Sequence, residues 1–224
     1  MFVAENAWFR DNYVCATCGS IPRERALMLV LEERFPDWRN MQIHESSPGS
    51  RGASLRLARE CSNYVPSQYF PDVPPGEYRN GIRCENLEAQ TFADDSFDLH
   101  VTQDVFEHIF DPAAASREIA RTLRVGGAHL FTVPLVNKRQ PSCRRARRGP
   151  DGAVEHLAPP EYHGNPIDAS GSLVTIDWGM DIVQHILESS GLITEIVTID
   201  RLDHGIRAEY IEVLVSSKHA PVTI

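Results

Sequence analysis

The apolar positions change period along the chain, and each change marks an element. Leu27, Val30, Leu31 and Phe35 recur at helical spacing behind Pro22, which suits a first helical turn, and Pro36 ends the run. The spacing predicts one helix inside an N-terminal extension, residues 1–40. A short apolar stretch at 41–44 then leads into Glu-Ser-Ser-Pro-Gly-Ser-Arg-Gly (45–52) and a helical segment carrying Leu55, Leu57 and Ala58. That order is strand, tight loop, helix. A second strand is predicted near 63–67, and the Pro-rich stretch 71–76 is loop.

Phe97, Leu99 and Val101 alternate as a strand. Asp111 then caps a helix with Pro112 in its first position, and Ala115, Ile119 and Leu123 line one face. Gly126 and Gly127 are expected to end that helix before a strand over 128–133, and 137–175 reads as irregular. A last helix near 181–189 stops at Gly191, and strands at 193–199 and 210–216 follow, joined closely enough to pair antiparallel. Strands alternating with helices imply an α/β, Rossmann-like doubly wound sheet of about seven strands with a final antiparallel strand. The domain is expected to span 41–224. Sheets of this kind bind ligands beyond the carboxyl ends of their strands, where the strand order reverses.

Composition narrows the function. With 224 residues, 42% hydrophobic, the chain suits one domain with a sizeable core. Lys+Arg 22 against Asp+Glu 31 gives −9, which argues against a binder of nucleic acid or anionic membrane. The strongly apolar run 26–31 is far too short to cross a bilayer, and the start shows no secretory signal. Five cysteines without a framework fit a reducing compartment, so a cytoplasmic location is expected. Cys15 and Cys18 have zinc-knuckle spacing, but structural zinc wants four ligands and no second C-x-x-C exists, so no metal is expected.

Loop 45–52 is the natural cofactor site, because a helix N-terminus behind a glycine loop holds anionic groups. A nicotinamide dehydrogenase would want an acid about twenty residues on, where Ser67 and Gln68 stand. A Tyr-x-x-x-Lys reductase is excluded, since neither Lys138 nor Lys218 has a tyrosine four residues earlier.

The segment 85–134, with Phe-Asp-Leu at 97–99, Val-Phe-Glu-His-Ile-Phe-Asp-Pro at 105–112, Arg-Thr-Leu-Arg-Val-Gly-Gly at 121–127 and His-Leu-Phe-Thr-Val-Pro at 129–134, closely resembles class I S-adenosylmethionine-dependent methyltransferases of the type 11 kind. The resemblance covers about 41–134 and, by topology, 178–217. It implies S-adenosylmethionine as cofactor, with Glu45, Ser47 and Gly49 along its methionine end and Gln68 near the ribose. It further implies Asn86 and Leu87 at the adenine edge, and Gln103 and Asp104 facing the sulfonium and the acceptor. The loop departs from the family pattern: Ser47 replaces the first glycine and Arg51 stands at the third. A non-catalytic cofactor-binding protein and a nicotinamide oxidoreductase therefore stay open as alternatives.

Methyl transfer needs alignment, plus a base where the acceptor loses a proton. By motif position the resemblance makes His108 a candidate base. His163 and Asp168, with Tyr162 and Asn165, form a polar cluster in the region where this fold builds its acceptor pocket. Lys138, Arg139, Arg144, Arg145, Arg147 and Arg148 suggest a lid, 137–168, over an anionic acceptor. The partner expected is a small-molecule or glycan-type acceptor rather than nucleic acid or membrane.

Overall fold

A computed structural model describes residues 1–4, 6–164 and 170–220. Eight strands make one sheet: β1 (Gln42–Ser46), β2 (Asn63–Gln68), β3 (Tyr78–Arg79), β4 (Ile82–Cys84), β5 (Phe97–Gln103), β6 (Leu123–Thr132), β7 (Ile193–Val197) and β8 (Val213–Ser217). Their order is β7-β8-β6-β5-β1-β2-β4-β3. β2, β1, β5 and β6 run parallel, as do β2 and β4, while β3, β8 and β7 join antiparallel. The strand order reverses between β1 and β5, which places the ligand crevice at their carboxyl ends.

Alternation along the strands builds two cores. Leu130, Val213 and Val215 join Ile43, Leu99 and Val101 on one face, under α1 (Pro22–Arg34) and α2 (Gly52–Glu60). Phe131 and Leu214 point the other way and pack with Ile119 of α3 (Pro112–Thr122) and Ile182 and Ile186 of α4 (Ile182–Ser190). Leu27, Val30 and Leu31 are buried in the first core, so α1 is part of the packed molecule. Each such side chain contributes about 1.5–3 kcal/mol on burial.

Three details differ from the sequence reading. α3 ends at Thr122 rather than at the glycines, because Leu123 is already extended and pairs with Phe97. Gly126 and Gly127 lie inside β6, where the pairing with β5 shifts register; Gly126 has φ +86°, and a Cβ on Gly127 would stand 2.7 Å from the Asp98 carbonyl. The hairpin of β3 and β4 adds an edge that a Pro-rich sequence hides. Finally, 137–175 is not irregular: Ala146–Arg148 pairs with Val154–His156, Tyr162–His163 with Ser172–Leu173, and Cys143–Arg144 with Ile176–Asp177.

The sheet carries a buried polar chain whose protons can be assigned. Thr122 donates its hydroxyl proton to the Glu118 carbonyl, so His100 Nε2 must donate to Thr122 Oγ1 at 2.8 Å. His100 Nδ1 is then an acceptor, His44 Nδ1 donates to it at 2.8 Å, and His44 Nε2 accepts from Ser67 at 2.7 Å. Phe92 and Phe97 pack against the His44 ring. Burial pushes His44 and His129 down to about 3 and His100 well below its ordinary value, and a second proton on His100 would set two Nδ1–H donors face to face.

These histidines make the fold acid-sensitive. The unfolded chain takes up their protons below pH 6.5 while the folded chain refuses them until about 3, so stability falls as pH drops through that window. Each contributes about 1.4 kcal/mol of loss per pH unit, opposed by Glu45, whose buried carboxyl is pushed up, and by His163, whose pKa the Glu107 carboxylate raises. The midpoint of urea unfolding should therefore fall steeply between about pH 6.5 and 4.5. A flat midpoint across that range would show that the three rings are not held neutral.

Candidate active site at the carboxyl edge of the sheet

Glu45 ends β1 and is wholly buried. Its carboxylate accepts from Ser54 at 2.7 Å, Gln103 Nε2 at 2.8 Å and Tyr64 at 2.7 Å, which joins α2, β5 and β2 at one point. Ser54 accepts in turn from the Gly49 amide at 2.8 Å and from Gln103 Nε2 at 3.1 Å. Gln103 Nε2 thus lies against both Glu45 and Ser54, and the buried Gln103 Oε1 is left without a partner. Burial raises the Glu45 carboxyl above its usual range against the pull of these donors.

The loop between β1 and α2 solves its glycine problem differently from the sequence reading. Ser47 itself adopts φ +57°, with its amide held by the Ser67 carbonyl at 2.8 Å. Arg51 is extended at φ −151°, so no glycine is needed there. Gly52 is the position that requires one: its φ is +54°, and a Cβ would meet the Glu24 carboxylate at 2.0 Å. The first turn of α2 has no side-chain cap.

Asp104 follows β5 with φ +53°. Its carboxylate lies 2.6 Å from Arg10 Nη2 and 2.9 Å from Arg23 Nε, and accepts from Thr132 at 3.0 Å. Although burial opposes it, the two guanidinium groups hold its carboxyl down at about 2. Sequence reasoning did not foresee this pairing of Asp104 with the arginines of the N-terminal segment. Gln68 ends β2 half-buried, Leu87 is buried, and Asn86 accepts from the Glu88 amide at 3.0 Å in a local turn.

A second cluster forms three residues beyond Asp104. His108 and His163, far apart in sequence, meet edge to face with ring centroids 5.2 Å apart. Between them lies Glu107, 2% exposed, with Oε1 3.7 Å from His108 Nε2 and 3.7 Å from His163 Nδ1. The Glu107 carboxylate beside it raises the His163 pKa. Asp168 and Asn165 lie outside the described residues. Glu107 is the group that sequence reasoning passed over; it stood in the Glu-His pair of the motif, but only the fold brings His163 to it.

The cationic run is mostly committed within the chain. Arg145 pairs with Asp177 at 2.8 Å and Glu161 at 3.2 Å, Arg147 with Glu155, and Lys138 with Glu212, while Arg144 donates to the Phe110 carbonyl. A groove of about 890 Å³ runs along α1 and α2 past Cys15, Cys18 and Glu24, but neither Gln103 nor His163 lines it.

The family model described as a methyltransferase domain matches residues 54–131. The match starts just after the altered loop and includes Gln68, Gln103 and the Glu107–His108 pair. The matched stretch carries a methyltransferase domain pattern over about a third of the chain. Solved structures of S-adenosylmethionine-dependent methyltransferases share the fold of this chain. An S-adenosylmethionine-dependent methyltransferase from Mesorhizobium loti is 18% identical, with TM-score 0.53, over 85% of this chain and 96% of its own. A sugar N-methyltransferase from Streptoalloteichus is 15% identical, with TM-score 0.55, over 89% and 87%. A 1,6-didemethyltoxoflavin-N1-methyltransferase from Burkholderia thailandensis, with bound 1,6-didemethyltoxoflavin and S-adenosylhomocysteine, is 12% identical, with TM-score 0.51, over 88% and 79%. No curated protein matches this chain in sequence. No helix among the described residues is long and apolar enough to cross a membrane.

The donor set fits S-adenosylmethionine: the unpartnered Gln103 Oε1 awaits a donor such as an ammonium, and the uncapped start of α2 suits a carboxylate.

The Asp104 pairing yields a direct test. Asp104→Asn removes the charge that two buried or half-buried arginines face, at a cost of about 3 kcal/mol, so the protein should melt roughly 6–12 °C lower. A change below about 2 °C would mean that the N-terminal segment is not anchored there.

Proposed function

We propose that this methyltransferase acts on a small-molecule or glycan-type acceptor seated beyond the carboxyl end of β5, beside Glu107, His108 and His163. The observation that carries the reading is the meeting of these three polar side chains just beyond β5, whose last residue, Gln103, has a buried oxygen without a partner. S-adenosylmethionine supplies an activated methyl group on its sulfonium. In this reading Glu45, Ser47 and Gly49 shape the cavity for its methionine end, Gln103 Oε1 accepts from its ammonium, and Gln68, Asn86 and Leu87 lie along its nucleoside. The protein's task is then alignment, with His163 or His108 handling a proton where the acceptor is a hydroxyl or amine.

Two solved structures of the same fold are named for a sugar and for a heterocyclic small molecule, which supports a small acceptor. An anionic acceptor gains no support from the 138–148 run, because Lys138, Arg144, Arg145, Arg147 and Arg148 already have partners. Thr175 ties the chain beyond the cationic run to the backbone of this cluster: its amide donates to the Glu107 carbonyl at 2.7 Å, and its hydroxyl to the Ile109 carbonyl at 2.6 Å.

Calorimetric titration with S-adenosylmethionine and its demethylated product tests the cofactor assignment. Gln103→Leu should weaken both by about tenfold, and a nicotinamide nucleotide should not bind. Labelled methyl transfer to a panel of hydroxyl- and amine-bearing small molecules tests the acceptor. On the acceptor found, His163→Ala should lower turnover by about a hundredfold and leave cofactor affinity unchanged. Unaltered turnover would remove His163 from the acceptor site.

A further inference from the structure

We propose that Glu107, His108 and His163 form a binding site for a divalent first-row transition cation, held by two imidazole nitrogens and one carboxylate oxygen. The three ligand atoms lie within 4.8 Å of one another, and no other group of three such residues does so among the described residues. Metal–ligand bonds of about 2.0–2.2 Å place neighbouring donors roughly 3.0–3.5 Å apart, so the 3.7 Å separations from Glu107 Oε1 need close by only a few tenths of an ångström.

One tautomer is set for ligation. His108 Nδ1 lies 2.9 Å from the Leu173 carbonyl, which can only accept, so Nδ1 carries a proton and Nε2 is the nitrogen turned to Glu107. An outer acceptor on the far nitrogen is how metal-binding histidines are oriented. On His163, Nδ1 is the nitrogen turned to Glu107, and Nε2 stands 3.6 Å from Glu161 Oε1, beyond hydrogen-bond distance.

Glu107 supplies the independent sign of a ligand. It is 2% exposed, and neither carboxylate oxygen has a hydrogen-bond partner. A buried carboxylate in that state is costly unless a cation meets it. The His163 side chain is 38% exposed, which gives an ion a route from solvent. Two nitrogens and one oxygen favour zinc, manganese, iron or cobalt over calcium or magnesium, and three protein ligands leave a coordination position for water or an acceptor atom. Cation binding itself does not depend on the acceptor reading; only the occupant of that fourth position rests on it.

The experiment uses the full chain stripped with a chelator and titrated with Co²⁺ by visible absorption and with Zn²⁺ by calorimetry. One equivalent should bind, and Glu107→Gln and His163→Ala should each weaken it by about a hundredfold or more. The double variant Cys15→Ser, Cys18→Ser should bind as wild type does. Cofactor affinity measured on the same samples reports that each variant is folded, and keeps a failure of the cation site distinct from a failure of the methyltransferase reading. Absence of stoichiometric binding, binding that survives His163→Ala, or binding lost with the two cysteines would each overturn the proposal.

Discussion

A carboxylate buried at the end of the central strand dictates the rest of the site. Glu45 has no access to water, so its oxygens must be met by donors from whatever packs around β1. Ser54 comes from the start of α2, Tyr64 from β2 and Gln103 from the end of β5, and each distance is 2.7–2.8 Å. Ser54 then holds the Gly49 amide, which fixes the loop, and Gln103 is oriented so that its oxygen is the atom left over. One buried charge thereby sets the loop, the helix start and the open acceptor of the crevice. Losing any donor would cost more than a single hydrogen bond, because the carboxylate would stay buried and unsatisfied.

Asp104 plays the matching part for the N-terminal segment. Without Arg10 and Arg23 its carboxylate would be an unpaired buried charge, and without Asp104 the two arginines would have no reason to lie at the sheet's edge. The first 40 residues are for that reason more than an appendage in space: α1 lends Leu27 and Leu31 to the core, Glu24 to the Gly52 turn and Arg23 to the site.

Much of this was legible in the sequence where the signal is periodic or local. The apolar spacing of 27–35, the alternation at 97–101 and the Asp111–Pro112 cap give elements within a residue or two of those found. Signals failed where a local rule met a tertiary demand. Gly126–Gly127 looks like a helix stop, yet Leu123 gains more by pairing with Phe97 and packing in the core, so the glycines absorb a register shift instead. The hairpins between 143 and 177 are two or three residues a strand, too short for any period to show. Partners across the fold were invisible for a plainer reason: Asp104 reads as a free acid and Arg145 as a free cation until the chain that neutralises each is folded beside it.

The histidines show how far environment overrides residue type. His44 and His100 sit among phenylalanines in a buried hydrogen-bonded chain, and burial keeps both neutral far below their ordinary range. His163 has the opposite setting, half-buried beside the Glu107 carboxylate, and its pKa rises. The first pair lies within the sheet, where neutrality preserves packing; the second lies at its carboxyl edge, where a group that exchanges protons or ligands is useful. Glu107 is buried with no hydrogen-bond partner on either carboxylate oxygen. Glu45 and Asp104, by contrast, are met by hydrogen bonds and ion pairs from the chain itself. The carboxylates that hold the scaffold of the crevice are satisfied from within the chain, and the one between the two histidines is not.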